Sequence, residues 1–170
     1  MKIHLIFIII FLFSLVKTAE EIEGKIRIDG KRKWIVKTGP FSDEFSYIAT
    51  AFYIPGLSEN GWDFLSITTN NIFSDELQAE AAGRLEASLT KERIYNHYLN
   101  MLSTTGHLSE NTTNFFRKQE EYLLSRKNEY NSNSILYNAY LLYLQFKGLR
   151  EKYNVEAEEE KKLMIWNLMF

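Results

Sequence analysis

The sequence predicts an α+β fold in which antiparallel strands are followed by helices. Residues 25–70 combine short β-forming runs with turn dipeptides, and residues 74–168 carry apolar side chains at helical spacing. Hydrophobic residues make up 45% of the chain, which argues against disorder and suits a single domain with its own core. No internal repeat or low-complexity linker is found.

The first 19 residues have the layout of a cleaved signal peptide. Lys2 supplies a positive charge, residues 3–16 form an apolar run, and Ala19 is the expected last residue removed. The run is shorter than the roughly 20 apolar residues that cross a bilayer, so no transmembrane segment is expected after cleavage. An uncleaved signal anchor and a buried N-terminal helix are the alternatives. Cleavage would send residues 20–170 into the secretory pathway, to a lysosomal or an extracellular destination.

Composition excludes several classes of function. Cleavage would remove Lys2 and Lys17 and change the net charge from −2 to −4, so nucleic acid is not an expected partner. The sequence has no cysteine, which excludes a cysteine nucleophile, a thiolate metal site and a redox motif from this chain. His97 and His107 lack a second histidine at metal-ligand spacing, so no metal or other cofactor is expected.

Four strands are predicted before residue 73, joined as an antiparallel meander. The turn dipeptides are Asp29-Gly30, Pro55-Gly56 and Asn60-Gly61. The strands between them are Lys25–Asp29, Trp34–Lys37, Phe45–Ile54 and Trp62–Thr69. On the fourth strand we expect three inward side chains, those of Trp62, Phe64 and Ile67.

Helices are predicted from Ser74 onwards, with Ser74 as the N-cap of the first. Its apolar stripe recurs every fourth residue, at Leu77, Ala81, Leu85 and Leu89. Thr90 is expected to end this helix and begin a second one. A loop at Ser103–Glu110 precedes a third helix, which ends in the Asn-rich run Asn128–Ser134, and the fourth runs from about Ile135 to Tyr153.

The C-terminal residues join a charged run to an apolar one. Residues Glu156–Lys162 are a solvated charge run, whereas the chain then reads LMIWNLMF. Natural termini are usually polar and frayed. Residues 163–170 therefore either form a short amphipathic helix that docks on the core or belong to an element of a larger protein.

Few side chains could carry chemistry by themselves. Ser58 lies in G-L-S-E-N, which has asparagine where a nucleophile elbow needs its last glycine, and it lies between antiparallel strands. His97 is interpreted as a hydrogen-bonded packing residue rather than a general base. Glu86 is either half-buried with a raised pKa or on the solvent edge of its helix. Asn111, in N-T-T, is a candidate glycan acceptor on an exposed loop.

A long ordered series of residues resembles the phospholipase B-like family. The series comprises G-W-D-F-L-S-I-T-T at 61–69, Q-A-E-A-A-G-R-L-E-A at 78–87, L-T at 89–90 and N-H-Y-L-N at 96–100. A second match, L-Q-F-K-G-L at 144–149, resembles that family's L-Q-L-K-G-L helix. Together the two matches cover roughly residues 45–154. Residues 20–170 are thus identified as a partial domain of this type.

The resemblance implies the N-terminal portion of an αββα sandwich of the N-terminal nucleophile hydrolase kind. Members resemble self-cleaving enzymes whose larger downstream piece exposes a cysteine nucleophile, with its free amine as base. The implied reaction is hydrolysis of lipid acyl esters, or of amides. Because this chain lacks the cysteine, the resemblance implies no catalytic residue here and makes a cysteine-bearing downstream piece the expected partner.

The resemblance gives six residues a structural or site-lining role, namely Trp62, Gln78, Gly83, Glu86, His97 and Asn100. Two rival functions remain open at this stage. The chain could be a non-catalytic secreted protein that binds lipid or a partner. It could instead be a complete enzyme that uses Ser58 or His97.

Overall fold

The computed structural model describes residues 20–40, 46–129, 131 and 134–162. The predicted signal peptide, the start of the predicted third strand and the apolar residues 163–170 lie outside this part of the chain. The strands are β1 (Ile22–Ile28), β2 (Trp34–Thr38), β3 (Ala49–Ile54) and β4 (Phe64–Thr69). The helices are α1 (Leu57–Asn60), α2 (Asp75–Thr105), α3 (Glu110–Ser125) and α4 (Ile135–Glu156), with 3₁₀ turns at Lys127–Glu129 and Glu159–Lys161.

The predicted α+β class is confirmed, but the predicted meander is wrong. The four strands are antiparallel in the order β2-β1-β3-β4, so β3 pairs with β1 and not with β2. The two central strands are those that contribute fully buried side chains, among them Ile26 on β1 and Ala49 and Ala51 on β3. The central strands are thus the ones most deeply buried under the helix, and the turn signals do not record this order.

Helix α2 covers one face of the sheet. Its residues Ala81, Leu85 and Leu89 join Ile26 and Tyr53 in the main buried cluster. Gly24 on β1 allows the close approach, because a Cβ built there would lie 3.0 Å from a methyl carbon of Leu85. The predicted stripe at every fourth residue is thus the face of the helix that packs on the sheet.

The predicted inward side chains of β4 are only partly correct. Ile67 packs against the core together with Leu65, whereas Trp62 is 81% exposed and Phe64 is 55% exposed. Side chains alternate between the two faces of a strand, so Phe64 and Ile67 cannot both point inward. Phe64 instead stacks on Phe52 on the opposite face, with ring centroids 5.6 Å apart.

The predicted boundary at Thr90 is confirmed: two helical segments meet at a kink at this residue, and α2 denotes both together. Thr90 has φ −119° and ψ 19°, and its hydroxyl donates to the carbonyl of Glu86 over 2.9 Å. A hydroxyl that bonds back to the preceding turn bends the helical path at that point. The predicted N-cap is confirmed, since the Ser74 hydroxyl accepts from the amide of Leu77.

The predicted loop at residues 103–110 is shorter than expected, because α2 extends to Thr105 and the hydroxyl of Ser109 caps α3. The fourth helix is confirmed and ends three residues later than predicted, at Glu156. Part of the charged run 156–162 forms the second 3₁₀ turn.

Helices α2 and α4 pack side by side and run in the same direction. Contacts follow the same order along both helices: Tyr137 donates to the carboxylates of Asp75 and Glu76, and the Ser88 hydroxyl lies 3.3 Å from a carboxylate oxygen of Glu156. Helix α3 connects the two. Within the described ranges, no helix combines the length and apolar character needed to span a membrane.

Candidate functional site

Two glycines bring helices α2 and α4 into backbone contact. A Cβ on Gly83 would lie 1.8 Å from the carbonyl oxygen of Gln145. A Cβ on Gly148 would lie 2.3 Å from the carbonyl oxygen of Glu80. Neither position has room for a methyl group, so each glycine is required by the approach of the other helix. Both glycines belong to the quoted motifs, Gly83 to the series at 78–87 and Gly148 to the match at 144–149, but their contact was not predicted.

Glu86 lies at the same junction, one turn beyond Gly83. Burial raises the pKa of the Glu86 carboxyl, and a hydrogen bond with the side chain of Gln145 opposes that rise. The half-buried alternative is therefore confirmed, and the solvent-edge alternative is wrong. A carboxyl of this kind holds a proton more tightly in the folded state than in the unfolded one.

Gln78 and Arg84 fasten the same helix to its surroundings. The Gln78 amide donates to the carbonyl of Phe73 over 2.8 Å and so fixes the turn that leads into α2. Arg84, which sequence reasoning missed, pairs with Glu80 and with Glu151 of α4. Its guanidinium also lies 5.0 Å from the ring centroid of Trp34 on β2. These contacts are structural and bring no reactive group together.

The remaining motif residues do not converge. His97 and Asn100 are exposed on α2 beyond the kink, and Trp62 is exposed before β4. The carbonyl of Asn100 accepts from the hydroxyls of Ser103 and Thr104 within the helix. The predicted packing role of His97 is wrong among the described residues, since its side chain faces solvent.

Asp63, for which the sequence predicted no role, is a highly connected carboxylate among the described residues. Asp63 accepts from the Tyr53 hydroxyl over 2.7 Å and from the backbone amides of Gly56 and Leu57 over 2.8 and 2.9 Å. It also accepts from the guanidinium of Arg93, whose Nε lies 2.5 Å away. Asp63 therefore ties β3, the turn after it, β4 and the second half of α2 together. No local spacing rule pairs residues 63 and 93.

The electrostatics of this cluster keep Asp63 ionised. Burial raises the pKa of the carboxyl, but the hydrogen bonds from Tyr53, the Gly56 amide, Arg93 and the Leu57 amide together lower it to about 2. A carboxylate with all of these donors cannot act as a general acid near neutrality. Asp63 is thus a structural anchor that stays charged well below neutral pH.

The other predicted residues lie apart from one another. Ser58 is exposed in α1, and no hydrogen-bonded base accompanies it among the described residues. Asn111 is exposed as predicted but lies in the first turn of α3, so the predicted loop is wrong. His107 is exposed as well. In the part of the chain that the structure describes, no group of three acidic or histidine side chains is arranged to hold a metal ion.

Two open clefts flank Lys91, just beyond the kink. One, of about 400 Å³, includes Tyr95, Tyr153 and Lys161 in its lining. The other, of about 360 Å³, includes Ser88 and Arg93. Tyr153 and Arg93 are committed to structural hydrogen bonds, to the carbonyl of Lys161 and to Asp63 respectively. None of the six motif residues lines either cleft.

The model of the phospholipase B family matches residues 49–170, which include every strand and helix after β2. The chain belongs to the phospholipase B family. It is 33% identical over 113 residues to the phospholipase B-like 2 protein of Mus musculus, a match that covers 62% of this chain and 19% of that protein. It is 32% identical over 156 residues to phospholipase B-like protein C of Dictyostelium discoideum, covering 85% of this chain and 26% of that protein.

The family assignment agrees with the motif series that first suggested it. Phospholipase B-like protein E of Dictyostelium discoideum matches over 159 residues at 31% identity, covering 87% of this chain and 25% of that protein. The chain thus spans between about a fifth and a quarter of the length of these relatives. The matched motif residues form a helix–sheet scaffold, and the described residues do not assemble a nucleophile with a base.

Proposed function

We propose that this chain is the upstream part of a phospholipase B-like hydrolase and works only together with a cysteine-bearing downstream polypeptide. The downstream cysteine would attack the acyl carbonyl of a glycerophospholipid and expel the lysolipid as the leaving alcohol. Water would then release the fatty acid and restore the thiol. This chain would supply scaffold and lining, and no atom that forms or breaks a bond.

The observation that carries this proposal is a family match over most of the chain, combined with the absence of any cysteine from the sequence. The relatives contain about three quarters or more of their length outside the matched region. If the nucleophile lies in that additional part of the polypeptide, the matched region needs to supply only structural support.

The open face of the sheet supports the need for a second part. Among the described residues, helix α2 covers one face of the sheet, and the opposite face presents Phe52 and Phe64 beside polar side chains such as Thr50 and Ser66. Aromatic side chains on the face of a sheet can pack against another layer. A second sheet packed on this face would give the αββα sandwich that the family resemblance implies, with Trp62 and Phe64 among its contacts.

We also propose an acidic destination for this chain. The N-terminal apolar run and the Asn111 sequon favour entry into the secretory pathway, and the pKa values of two carboxyls suit an acidic pH. The pKa of Asp63 is about 2, so its carboxylate stays charged and keeps its hydrogen bonds at mildly acidic pH. Glu86, with its raised pKa, is easier to bury when protonated. Both properties favour the folded state at the pH of lysosomes.

The test is hydrolysis of diacylphosphatidylcholine vesicles at pH 5, measured as released fatty acid. The full chain is secreted from eukaryotic cells alone, or together with the polypeptide downstream of the matched region in Dictyostelium phospholipase B-like protein C. We expect no release by the chain alone, release by the pair, and none when the downstream nucleophile cysteine is replaced by alanine.

Two results would overturn the proposal. Hydrolysis by the chain alone that Ser58→Ala or His97→Ala abolishes would make it a complete enzyme. Vesicle binding by the chain alone, with no hydrolysis by the pair, would make it a non-catalytic lipid-binding protein.

A further inference from the structure

The two edges of the sheet differ in chemistry. The β2 edge carries Lys37 and is preceded by Lys31, Arg32 and Lys33 and followed by Pro40. Lysines and proline at an edge strand discourage the addition of another strand. The β4 edge, defined here as residues 62–72, has no proline, and its single charged side chain, Asp63, is held by Tyr53 and Arg93 rather than lying free at the edge. By this criterion β2 is a protected edge and β4 is not.

The backbone of β4 is equipped to accept another strand. The amide of Asn70 donates to the carbonyl of Ile48 over 2.9 Å, which sets the register of the β3–β4 ladder. Backbone groups in an antiparallel pair alternate between facing the partner and facing away. The N–H and C=O of Leu65, Ile67 and Thr69 therefore point away from β3. Among the described residues, no strand pairs with this side of β4.

Large apolar side chains flank the same strand. Trp62 is 81% exposed just before β4, and Ile72 is 70% exposed just after it. Exposed apolar groups beside an uncharged edge strand are typical of an interface rather than of a solvated rim. At the corresponding flank of β2, Lys31, Arg32 and Lys33 are exposed.

We propose that the β4 edge is the point at which the sheet continues, through a β-strand of the downstream polypeptide that the longer relatives carry. This inference rests on the proposed function, because it needs that polypeptide as the partner. Main-chain hydrogen bonds to Leu65, Ile67 and Thr69 would give the affinity. Trp62 and Ile72 would be buried against the flanks of the added strand.

The test replaces an outward-facing backbone N–H at each edge. Thr69→Pro removes an N–H from the β4 edge without breaking the β3–β4 ladder, because proline is tolerated where the N–H faces away from the partner strand. Thr38→Pro is the matched control: Thr38 is also an exposed threonine, and the hydrogen bond from the Gly39 amide to the Glu23 carbonyl turns its own N–H away from β1. Trp62→Ala tests the flank without altering the backbone.

Each variant of the full chain is co-secreted with the downstream part of Dictyostelium protein C, which carries an affinity tag, and the captured amount of this chain is measured. We expect Thr69→Pro to lower capture at least about tenfold and Trp62→Ala to lower it several-fold, with Thr38→Pro unchanged. Thermal unfolding of each chain alone should show that the proline variants keep the fold.

The outcomes separate this inference from the proposed function. If the unsubstituted chain is captured and Thr69→Pro is captured equally well, the edge assignment is overturned while the need for a downstream part stands. Equal losses for Thr69→Pro and Thr38→Pro would also overturn it. If the unsubstituted chain is not captured at all, both inferences fail.

Discussion

The two halves of helix α2 are helical segments that meet at the kink at Thr90, and they have different surroundings. Before the kink at Thr90, Ala81, Leu85 and Leu89 are buried on the sheet and Gly83 contacts the backbone of α4. After the kink, no described side chain from Lys91 to Thr104 is fully buried. The family motif runs through both halves. In the second half, Ile94 and Tyr98 pack against the cluster that contains Tyr153 of α4, whereas the motif residues His97 and Asn100 are exposed.

The largest expected loss of stability comes from a substitution in the packed first half of α2. Gly83→Ala should destabilise the fold by about 3 kcal/mol, because its new methyl group overlaps the carbonyl of Gln145 and α4 must move away. Chemical denaturation of the variant measures the loss. Gly30→Ala is the control, since a Cβ there meets nothing within 4 Å. A loss below about 1 kcal/mol for Gly83→Ala would contradict the described contact between the helices.

The second prediction concerns the ion pair of Asp63 and Arg93, which joins the second half of α2 to the sheet. Asp63→Asn should cost about 2 kcal/mol, because Arg93 loses a charged acceptor. The contribution depends on pH: the folded pKa of about 2 lies below the unfolded value, so the stabilisation is present above about pH 4 and is lost as pH falls toward 2. Acid titration of unfolding checks both statements. Glu59→Gln, at an exposed position of α1, should leave the acid limb unchanged.

The third prediction is a substitution that stabilises the folded chain instead of destabilising it. The raised pKa of Glu86 means that its burial favours folding below the unfolded pKa, and this advantage is lost as pH rises through the folded pKa. Glu86→Gln keeps an amide partner for Gln145 and removes the buried charge. It should stabilise the chain at pH 7 by at most about 1 kcal/mol and have little effect at pH 4. A variant that is less stable than the original chain at pH 7 would contradict this account of Glu86.

The smallest expected effects are at exposed motif residues in the second half of α2. His97→Ala and Asn100→Ala should each change the free energy of unfolding by less than about 0.5 kcal/mol, because both side chains are exposed in the second half. Thermal unfolding of the isolated chain is the measurement. If either variant lost more than about 1 kcal/mol, the second half would be packed in a way that the structure does not describe.

Local patterns were sufficient to predict most elements but not their arrangement. The stripe through Leu85 and the N-cap at Ser74 depend on residues within a few positions, so they could be read from the sequence. The order β2-β1-β3-β4 places the strands most deeply buried under the helix at the centre, and no local signal records that. The faces of β4 were misjudged because Trp62 and Phe64 are apolar yet exposed.

For the candidate site too, the sequence predicted individual residues but not the contacts between them. The family resemblance identified Gly83 and Glu86, which have definite structural roles at the helix junction. The contacts that complete those roles were not predicted, because the approach of Gly148 to α2 and the pairing of Asp63 with Arg93 span long sequence separations. Long-range pairs of this kind leave no trace at helical or strand spacing in one sequence.

The central proposal is that this chain is one part of a larger cysteine-bearing hydrolase. Its most direct test is to immunoprecipitate the native protein from source cells with an antibody against residues 73–101 and to identify the recovered peptides by mass spectrometry. We predict peptides of a downstream, cysteine-containing sequence, either joined to this chain or held with it after cleavage. Recovery of peptides from residues 20–170 alone, with no such partner, would contradict the proposal.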